Sequence, residues 1–239
     1  MSSELRQAVI LAGGKGTRLH PYTMILPKPL VPIGDEPILE VILRQLRAAR
    51  FKEVIISTGH LAELIEAYFG NGKKLGLSIR YVRESMPLST AGALSLIDGL
   101  DRNFLVMNGD ILTTLNYRQL TRFHSVHGAA ATVAICPQNI SIDYGVVYPD
   151  AQGRIERFAE KPVLRHFVSM GINVLNRRAL KLIPQGEPMG MPDLLAALKA
   201  AGELVMCYKH TGHWFDIGRL QDYQVAQNYF EKHSSLFSR

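Results

Sequence analysis

Residues 11–21 read LAGGKGTRLHP and directly follow the apolar run AVI at residues 8–10. A buried strand that opens into a glycine-rich turn is the usual way in which an α/β sheet presents backbone N–H groups to a phosphate. Gly13, Gly14 and Gly16 let the main chain approach a ligand without interference from a Cβ atom. Arg18 and Lys28 add positive charge, so this stretch predicts binding of a polyphosphate.

Two better-known phosphate-binding loops do not fit these residues. The Walker loop spaces its first glycine further from its Lys-Ser/Thr pair than this stretch does. The dinucleotide fingerprint needs a third glycine at the position that Leu19 occupies. An ordinary βα turn with a surface arginine therefore remains the alternative at this point.

The composition predicts one domain with one substantial core. The chain has 239 residues, of which 47% are hydrophobic, so residues 1–239 need no division into separate domains. No apolar run is long enough to span a bilayer, and residues 1–6 are polar, unlike a signal peptide. We therefore expect a cytoplasmic protein with no membrane partner. Cys136 and Cys207 lie in apolar, strand-like stretches and predict two buried, reduced thiols.

The net charge of +6 raises the question of nucleic-acid binding. The basic residues are scattered, however, and no run of Lys and Arg exceeds two. No aromatic and basic stripe or recognition motif accompanies them. We expect no nucleic-acid partner, since a small polyanionic substrate accounts for part of the charge equally well.

Strands and helices alternate through the first half of the chain. Continuous apolar runs predict strands at residues 7–12, 54–57, 77–82 and 104–107. Apolar residues at helical spacing predict helices at 38–49, 62–69 and 117–127. The segment Gly34-Asp35-Glu36-Pro37 is a helix-start signal for the first of these. Ser89 is expected to cap a helix of small residues. Because the runs are continuous rather than alternating, we predict a parallel sheet that is covered on both faces.

The second half changes to a pattern of strands. Strands are predicted at residues 130–135, 144–148, 154–160 and 167–175, with a turn at 149–153. This part is therefore expected to be mixed and partly antiparallel. A last helix is predicted at 219–232, with Gly218 as a better cap candidate than Asp216.

Asn108-Gly109-Asp110 follows the apolar strand at 104–107. Taken alone, this tripeptide is typical of a turn. A carboxylate just past the carboxyl end of a central parallel strand, however, lies where open α/β sheets bind ligands. Beside a phosphate-binding loop, Asp110 is a magnesium candidate, because a cation that bridges phosphates takes one or two carboxylates from the protein.

The loop at 13–21, followed by Pro27-Lys28-Pro29, resembles the signature of the sugar-1-phosphate nucleotidyltransferases, the enzymes that make nucleotide sugars. Further segments resemble family segments in the expected order, namely Gly145, Glu160-Lys161-Pro162, Gly171-Ile172-Asn173 and Trp214-Phe215-Asp216-Ile217-Gly218. One departure is Ser169-Met170-Gly171, where the family more usually has Asn-Ala-Gly. The resemblance covers roughly residues 6–230 and corresponds to the catalytic domain alone.

The resemblance implies a fold and an arrangement of sites. The fold is α/β, a three-layer α/β/α Rossmann-like architecture with a mixed, mainly parallel central sheet. The nucleotide-binding half covers about residues 1–128 and the sugar-binding half about 129–239. The nucleotide-binding residues are expected to be Leu11, Ala12, Gly13, Gly14, Gly16, Thr17, Arg18, Lys28, Gly59, Thr90, Gly92 and Asn108. The sugar-phosphate-binding residues are expected to be Gly145, Glu160, Lys161 and Asn173, and Asp110 and Asp216 are expected to share Mg²⁺.

The reaction that the resemblance implies joins a nucleoside triphosphate to a sugar 1-phosphate and releases pyrophosphate. The attacking phosphate is already largely ionised at neutral pH, so no general base is needed. Arg18 is expected to stabilise the leaving pyrophosphate and Lys28 to reach the α-phosphate. Lys161 is expected to hold the sugar phosphate. Small residues around Gly92 either leave room for a nucleobase or simply pack a helix on the sheet.

Substrate identity stays open at this level. The sequence of residues 57–60 and 104–110 is more similar to that of guanylyltransferases acting on mannose-, heptose- or amino-sugar 1-phosphates than to that of thymidylyl- and glucose-type uridylyltransferases. Uridylyl or cytidylyl transfer is the alternative. A glycosyltransferase normally needs an Asp-x-Asp motif, but Leu112 stands at the second position. A catalytically silent paralogue would be expected to have lost one of the charged residues. His20, His60 and His213 show no zinc pattern, and self-association as a dimer is a further expectation.

Overall fold

The computed structural model describes residues 5–237. In chain order, the strands are β1 (Gln7–Ala12), β2 (Pro32–Ile33), β3 (Glu36–Pro37), β4 (Glu53–Thr58), β5 (Ser78–Arg83), β6 (Asn103–Asn108), β7 (Ile111–Thr113), β8 (Ala131–Ser141), β9 (Val146–Pro149), β10 (Ile155–Ala159), β11 (Val163–Asn176), β12 (Val205–Lys209) and β13 (Trp214–Asp216). The helices are α1 (Ile38–Ala48), α2 (Ala62–Phe69), α3 (Ser89–Gly92), α4 (Tyr117–His127), α5 (Met191–Ala200) and α6 (Leu220–His233). Within this part of the chain, no helix is both long and apolar enough to cross a membrane.

The central sheet has seven strands in the order β12-β8-β11-β6-β1-β4-β5. The pairs β1 with β4, β1 with β6, β4 with β5 and β8 with β12 are parallel. Only β11, which lies between β6 and β8, runs antiparallel to its neighbours. The prediction of a mixed, mainly parallel sheet is therefore confirmed.

Helices cover both faces of this sheet, which gives three layers. Along β1, Ile10 faces a core cluster that includes Ile42 of α1 and Ile65 of α2. Its neighbour Val9 faces a second cluster that includes Leu194 of α5. Successive side chains of a strand point to opposite faces, so a strand buried on both sides needs apolar residues at every position. This requirement explains the continuous apolar run that the sequence shows.

Local sequence signals locate several helices correctly. Helices α2 and α4 have the predicted bounds, and the Asn116 side chain caps α4 by accepting a hydrogen bond from the Gln119 N–H at 3.0 Å. Helix α1 begins at Ile38, as expected, but the residues before it form the hairpin β2–β3. Gly34 turns this hairpin with a φ of 60°, a left-handed value that favours glycine.

Two capping predictions are wrong. Leu88 occupies the N-cap of α3, and Ser89 is the first helical residue, with a φ of 62° and no side-chain capping bond. Arg219, not Gly218, is the N-cap of α6. Both helices are fixed by contacts with distant segments, so the local capping signal did not decide where they begin.

The prediction of two buried thiols is half right. Both cysteines are unpaired, and Cys136 is buried in the main core cluster, but Cys207 is exposed. Strand β12, which carries Cys207, is the edge strand of the sheet. Side chains on one face of an edge strand readily remain in contact with water.

The second half of the chain contains a projecting β-arm, which we define as residues 137–168. Strand β8 continues to Ser141 and β11 begins at Val163, so both strands are longer than predicted. Strands β9 and β10 form a separate antiparallel pair around the predicted turn at 149–153. The predicted mixed and partly antiparallel character of this half is therefore confirmed.

Candidate active site

A large cavity of about 720 Å³ opens at the carboxyl ends of the parallel strands. The loop that follows β1 forms one wall, and the segments after β4, β5 and β6 complete it. The lining residues are Leu11, Ala12, Gly13, Gly14, Lys15, Gly16, Thr17, Arg18, Lys28, Pro29, Gly59, His60, Glu84, Ser85, Met86, Pro87, Ser89, Thr90, Asn108, Gly109, Asp110 and Gly218. Ligands of open α/β sheets bind at this edge.

The glycines of this wall occupy their positions for different structural reasons. A Cβ at Gly59 would lie 2.6 Å from the Gly13 carbonyl oxygen, so these two loops touch only because residue 59 has no side chain. A Cβ at Gly14 would meet nothing within 4 Å, which leaves this position open to the cavity. Gly16 has a φ of 64°, and its carbonyl accepts a hydrogen bond from Thr23 Oγ1 at 2.8 Å. The backbone is thus held in place and kept accessible.

Asp110 lies at the floor of the cavity, in the turn between β6 and β7. The Gly109 N–H donates to the Leu11 carbonyl at 3.0 Å, which fixes this turn against the glycine-rich loop. Oδ2 of Asp110 forms an ion pair with the Lys28 ammonium. Oδ1 of Asp110 is buried and has no hydrogen-bond partner among the described residues. A buried carboxylate oxygen without a partner is costly and points to a missing ligand.

Strand pairing brings Asp216 to Asp110. Strand β13 pairs antiparallel with β7, with Asp216 opposite Ile111, and the Ile217 N–H donates to the Asp110 carbonyl at 3.1 Å. Burial raises the pKa of Asp216, and the Asp110 carboxylate raises it further, while Lys28 and Arg18 act in the opposite direction. A carboxylate whose charge is disfavoured by burial and by a neighbouring carboxylate belongs to a site that a cation stabilises.

The donors at this position fit magnesium. Magnesium prefers oxygen ligands, and two carboxylates, one of them with a buried free oxygen, stand here beside a cavity lined by glycines. Across residues 5–237, no three His, Cys, Asp or Glu side chains are grouped so that they could hold a metal by themselves. A closed structural zinc site is therefore a poor description of this part of the chain.

A smaller cavity of about 370 Å³ adjoins the large one and shares Leu11, Thr90 and Asn108 with it. Its other lining residues come from β11, α5 and β13, and they are Ser169, Met170, Gly171, Asn173, Met191, Pro192, Leu195, Trp214 and Asp216. Trp214 Nε1 donates to the Met170 carbonyl at 3.0 Å, which fixes the indole ring. Two connected chambers of unequal size, with the two aspartates between them, suit a two-substrate reaction.

The predicted residues divide into three groups. Except for Gly92, every expected nucleotide-binding residue lines the large cavity, and Asn173 and Asp216 line the smaller one. Gly92 lies outside both linings, and a Cβ there would lie 2.4 Å from the Glu187 carbonyl oxygen. Close packing of α3 on the segment before α5 therefore accounts for this glycine, whereas the sequence suggested either packing on the sheet or room for a nucleobase.

The remaining three predicted residues, Gly145, Glu160 and Lys161, lie in the β-arm and line neither cavity. A Cβ at Gly145 would lie 2.6 Å from the Phe158 ring and 3.1 Å from Glu160 Oε2, so these residues are close to one another. Lys161 is exposed and has a φ of 43°. Gly145 and Glu160 lie close together, but neither lines the smaller cavity that contains Asn173.

Sequence reasoning missed Glu84, which lines the large cavity behind Gly13. Its Oε1 accepts a hydrogen bond from Ser57 Oγ at 2.8 Å, and its Oε2 accepts one from the Leu88 N–H at 3.1 Å. These bonds link β4 to the loop before α3. Glu84 is a single acidic residue after an ordinary strand, and no sequence signal distinguishes it from a surface carboxylate.

Comparison with known proteins adds independent findings. A family model described as nucleotidyl transferase matches residues 7–233. A UTP–glucose-1-phosphate uridylyltransferase of Synechocystis is 34% identical over 240 residues, which cover 92% of this chain and 62% of that protein. A mannose-1-phosphate guanylyltransferase of Mycobacterium tuberculosis is 34% identical over 230 residues, which cover 93% of this chain and 64% of that protein.

The chain thus spans less than two thirds of the length of these two relatives. Among solved structures, a UDP-glucose pyrophosphorylase in complex with UDP-glucose superposes with a TM-score of 0.74. The alignment covers 95% of this chain and 99% of that one at 20% sequence identity, which supports the fold alone.

Proposed function

Because the chain belongs to the nucleotidyl transferase family, we propose that it joins a nucleoside triphosphate to a sugar 1-phosphate to give a nucleotide sugar and pyrophosphate. The observation that carries this proposal is the arrangement of Asp110. Its unpartnered buried oxygen lies beside Asp216, at the junction of a glycine-lined cavity and a smaller second cavity. The two similar enzymes named above, a uridylyltransferase and a guanylyltransferase, both use sugar 1-phosphates by name.

The large cavity is suited to the triphosphate. The open main chain at Gly14 lets phosphate oxygens approach the backbone N–H groups. Arg18 lies in the short turn Thr17–Leu19 on the cavity wall and supplies a fixed positive charge for the leaving pyrophosphate. Lys28 lies deeper, next to Asp110, where it reaches the α-phosphate as charge develops.

Asp110 and Asp216 would hold a magnesium ion, which supplies charge neutralisation at the phosphate oxygens when bound. In the absence of a metal ion, the Lys28 ammonium neutralises the Asp110 carboxylate. Both carboxylates must be ionised to bind a cation, so the raised pKa of Asp216 makes its ionisation dependent on the positive charges around it. Arg18 and Lys28 therefore act on both the substrate and the aspartates.

The substrates that we propose are GTP and a mannose-, heptose- or amino-sugar 1-phosphate. Similarity to a guanylyltransferase supports this preference, while equal identity to a uridylyltransferase keeps UTP as the alternative. We propose that Lys161, Gly145 and Glu160 contact the sugar phosphate from the β-arm. This part of the proposal requires the β-arm to approach the smaller cavity, since these residues do not line it.

One assay tests the proposed reaction. Purified protein is incubated with magnesium, each of four nucleoside triphosphates, and a panel of sugar 1-phosphates, and pyrophosphate release is measured. We expect release with one base and one class of sugar, strictly dependent on both substrates. Nucleotide binding without any pyrophosphate release would instead support the silent paralogue.

We propose that the chain associates as a dimer through the β-arm. Ile140, Tyr144, Phe158 and Phe167 expose 49%, 79%, 58% and 53% of their surfaces there. An isolated two-stranded ribbon is only marginally stable, so these side chains gain from pairing with a second copy. Sedimentation analysis tests the oligomeric state, and Phe167→Glu should give a monomer.

We also propose a cytoplasmic location. The unpaired thiols of Cys136 and Cys207 agree with a reducing compartment.

A further inference from the structure

We propose that Tyr229 is a positioning residue that holds the metal ligand Asp216 in place and acts on it through His213 and Phe215. This inference rests on the proposed function, because it takes Asp216 as a ligand of the magnesium ion. It gives helix α6 a part in the reaction, although Tyr229 itself lines neither cavity.

The first observation is how little backbone pairing holds Asp216. Strands β7 and β13 have three residues each and form a two-stranded sheet that is separate from the central sheet. A two-stranded ribbon is marginally stable by itself, so contacts from outside must fix it. The bond from the Ile217 N–H to the Asp110 carbonyl fixes one end of β13, and the other end needs a separate anchor.

The second observation is the anchor at that other end. The His213 carbonyl accepts hydrogen bonds from Thr113 Oγ1 at 2.9 Å and from the Thr114 N–H at 3.0 Å. The ring of His213 extends to α6, where its Nε2 lies 2.8 Å from Tyr229 Oη and shares a hydrogen bond with it. Since its backbone is bound to β7 and its ring to α6, His213 ties the ribbon to the helix.

The third observation is the direction of the side chains along β13. Trp214 and Asp216 line the smaller cavity, whereas Phe215 packs against α6, with its ring centroid 5.3 Å from that of Tyr229. Successive residues of a strand point to opposite faces, so a shift of Phe215 would also turn Asp216. Tyr229 therefore holds the ribbon at two residues from the side opposite to the cavity.

Tyr229 is itself fixed by its neighbours. Its ring stacks on that of His233, with centroids 4.3 Å apart, and lies edge-on to Phe237 at 6.2 Å. Phe237 is buried, and its carbonyl accepts a hydrogen bond from Gln45 Nε2 at 3.1 Å. The same Gln45 nitrogen donates to the Thr113 carbonyl at 2.9 Å, so the segment after α6 and strand β7 share one anchor on α1. A side chain that is locked by packing in this way can hold a site residue precisely.

The test is a titration with Mn²⁺ alone, followed by the emission of Trp214, the only tryptophan of the chain. The indole lies two residues from Asp216, so its emission reports on the ribbon and on the bound ion. Tyr229→Phe removes the hydroxyl and keeps the ring, and we expect it to weaken Mn²⁺ binding by about 2- to 10-fold. Nucleotide affinity without metal should stay unchanged, because Tyr229 does not line the large cavity. Since Lys28 pairs with Asp110, every titration is repeated in a Lys28→Met background.

Two further variants complete the experiment. His213→Phe keeps a ring and removes the nitrogen, so Tyr229→Phe should have no further effect in this background. Tyr208→Phe deletes a hydroxyl on β12 that donates to Gln119 at 3.2 Å, and it should behave as wild type. If Tyr229→Phe does not fold, as judged by thermal melting, His213→Phe alone tests the same bond.

The possible failures are distinguishable. Equal Mn²⁺ affinity of wild type and Tyr229→Phe, or an equal loss in Tyr208→Phe, would overturn the role of Tyr229. A loss that persists in the His213→Phe background would overturn the path through His213. Absence of Mn²⁺ binding in both wild type and Lys28→Met would overturn the metal site, and this inference with it. The expected Mn²⁺ result without pyrophosphate release from any substrate would support the positioning role and overturn the proposed function alone.

Discussion

The two cavities of this chain are built in different ways. Eight of the residues that line the large cavity are consecutive, from Leu11 to Arg18, and three of these eight are glycines. The smaller cavity takes single residues or short groups from β11, α5 and β13, and one of these is a glycine, Gly171. Backbone N–H groups that bind a phosphate must be free of bulky side chains, whereas a sugar ring needs particular side chains.

This difference indicates which of the two cavities tolerates amino-acid substitutions. A glycine-rich loop has few acceptable sequences, so it remains easy to recognise. A cavity made of separate side chains can change one residue at a time, because rigid elements hold the remaining side chains in place. The junction between the cavities, with Asp110 and Asp216, combines the two kinds of construction and is the most sensitive point for substitution.

The largest effect is expected at this junction. Asp110→Asn and Asp216→Asn should each reduce kcat by about 100-fold or more, because both remove charge that the transition state needs. The measurement is magnesium-dependent pyrophosphate release, with circular dichroism to verify folding. Asp98→Asn, at an exposed position, serves as the control. A near-normal rate for Asp216→Asn would remove this residue from the site.

The next prediction separates the cations of the two regions. Arg18→Ala should reduce kcat by about 30- to 150-fold, since the leaving pyrophosphate gains charge during the reaction. Lys161→Ala should mainly raise KM for the sugar 1-phosphate and leave nucleotide affinity unchanged. Steady-state kinetics with each substrate varied in turn distinguishes the two. If Lys161→Ala weakens nucleotide binding instead, the division into nucleotide and sugar regions is wrong.

A third prediction concerns competition for Asp110. Because the Lys28 ammonium occupies Oδ2 of Asp110, a divalent cation without nucleotide must displace it. Lys28→Met should therefore bind Mn²⁺ alone about tenfold more tightly than wild type, a difference of about 1.4 kcal/mol. Isothermal titration calorimetry measures this, and Lys15→Met, on the wall of the same cavity, is the matched control. Unchanged Mn²⁺ affinity would show that the pair does not limit cation binding.

A fourth prediction compares two glycines of the large cavity. A Cβ at Gly59 would clash with the Gly13 carbonyl, so Gly59→Ala should lower the free energy of unfolding by about 1–3 kcal/mol. Gly14→Ala meets no neighbour and should leave stability unchanged while it weakens nucleotide binding. Chemical denaturation and nucleotide titration measure the two effects. Equal stability of both variants would contradict the contact between the two loops.

The smallest effect is on stability at the junction. The pKa of Asp216 is raised in the folded protein, so the folded state binds more protons than the unfolded chain between the ordinary pKa of 3.8 and the raised value. Stability contributed by this group therefore falls as pH rises through that window. Asp216→Asn should be slightly more stable than wild type at pH 7, and the difference should disappear below pH 3.8. Denaturant titrations of both proteins at several pH values check the sign.

Local signals were enough for most of the fold. The apolar runs predicted the parallel strands, and the bounds of α2 and α4 were read correctly from apolar spacing and flanking polar residues. The strand-like stretch around Cys207 is β12, whereas helix α5 was missed, since a short segment gives weak periodicity. The caps expected at Ser89 and Gly218 were wrong by one residue each, since α3 begins after Leu88 and α6 after Arg219.

The glycine-rich loop and the place of Asp110 could be predicted from local sequence, because both depend on a strand and the residues that directly follow it. The remaining site residues come together through long-range strand pairing. Pairing of β13 with β7 brings Asp216 to Asp110, and insertion of β11 between β6 and β8 brings Asn173 to the smaller cavity. Glu84 joins the large cavity through bonds to Ser57 and Leu88. Contacts between residues far apart in the chain leave no local pattern, since they depend on how whole strands pair.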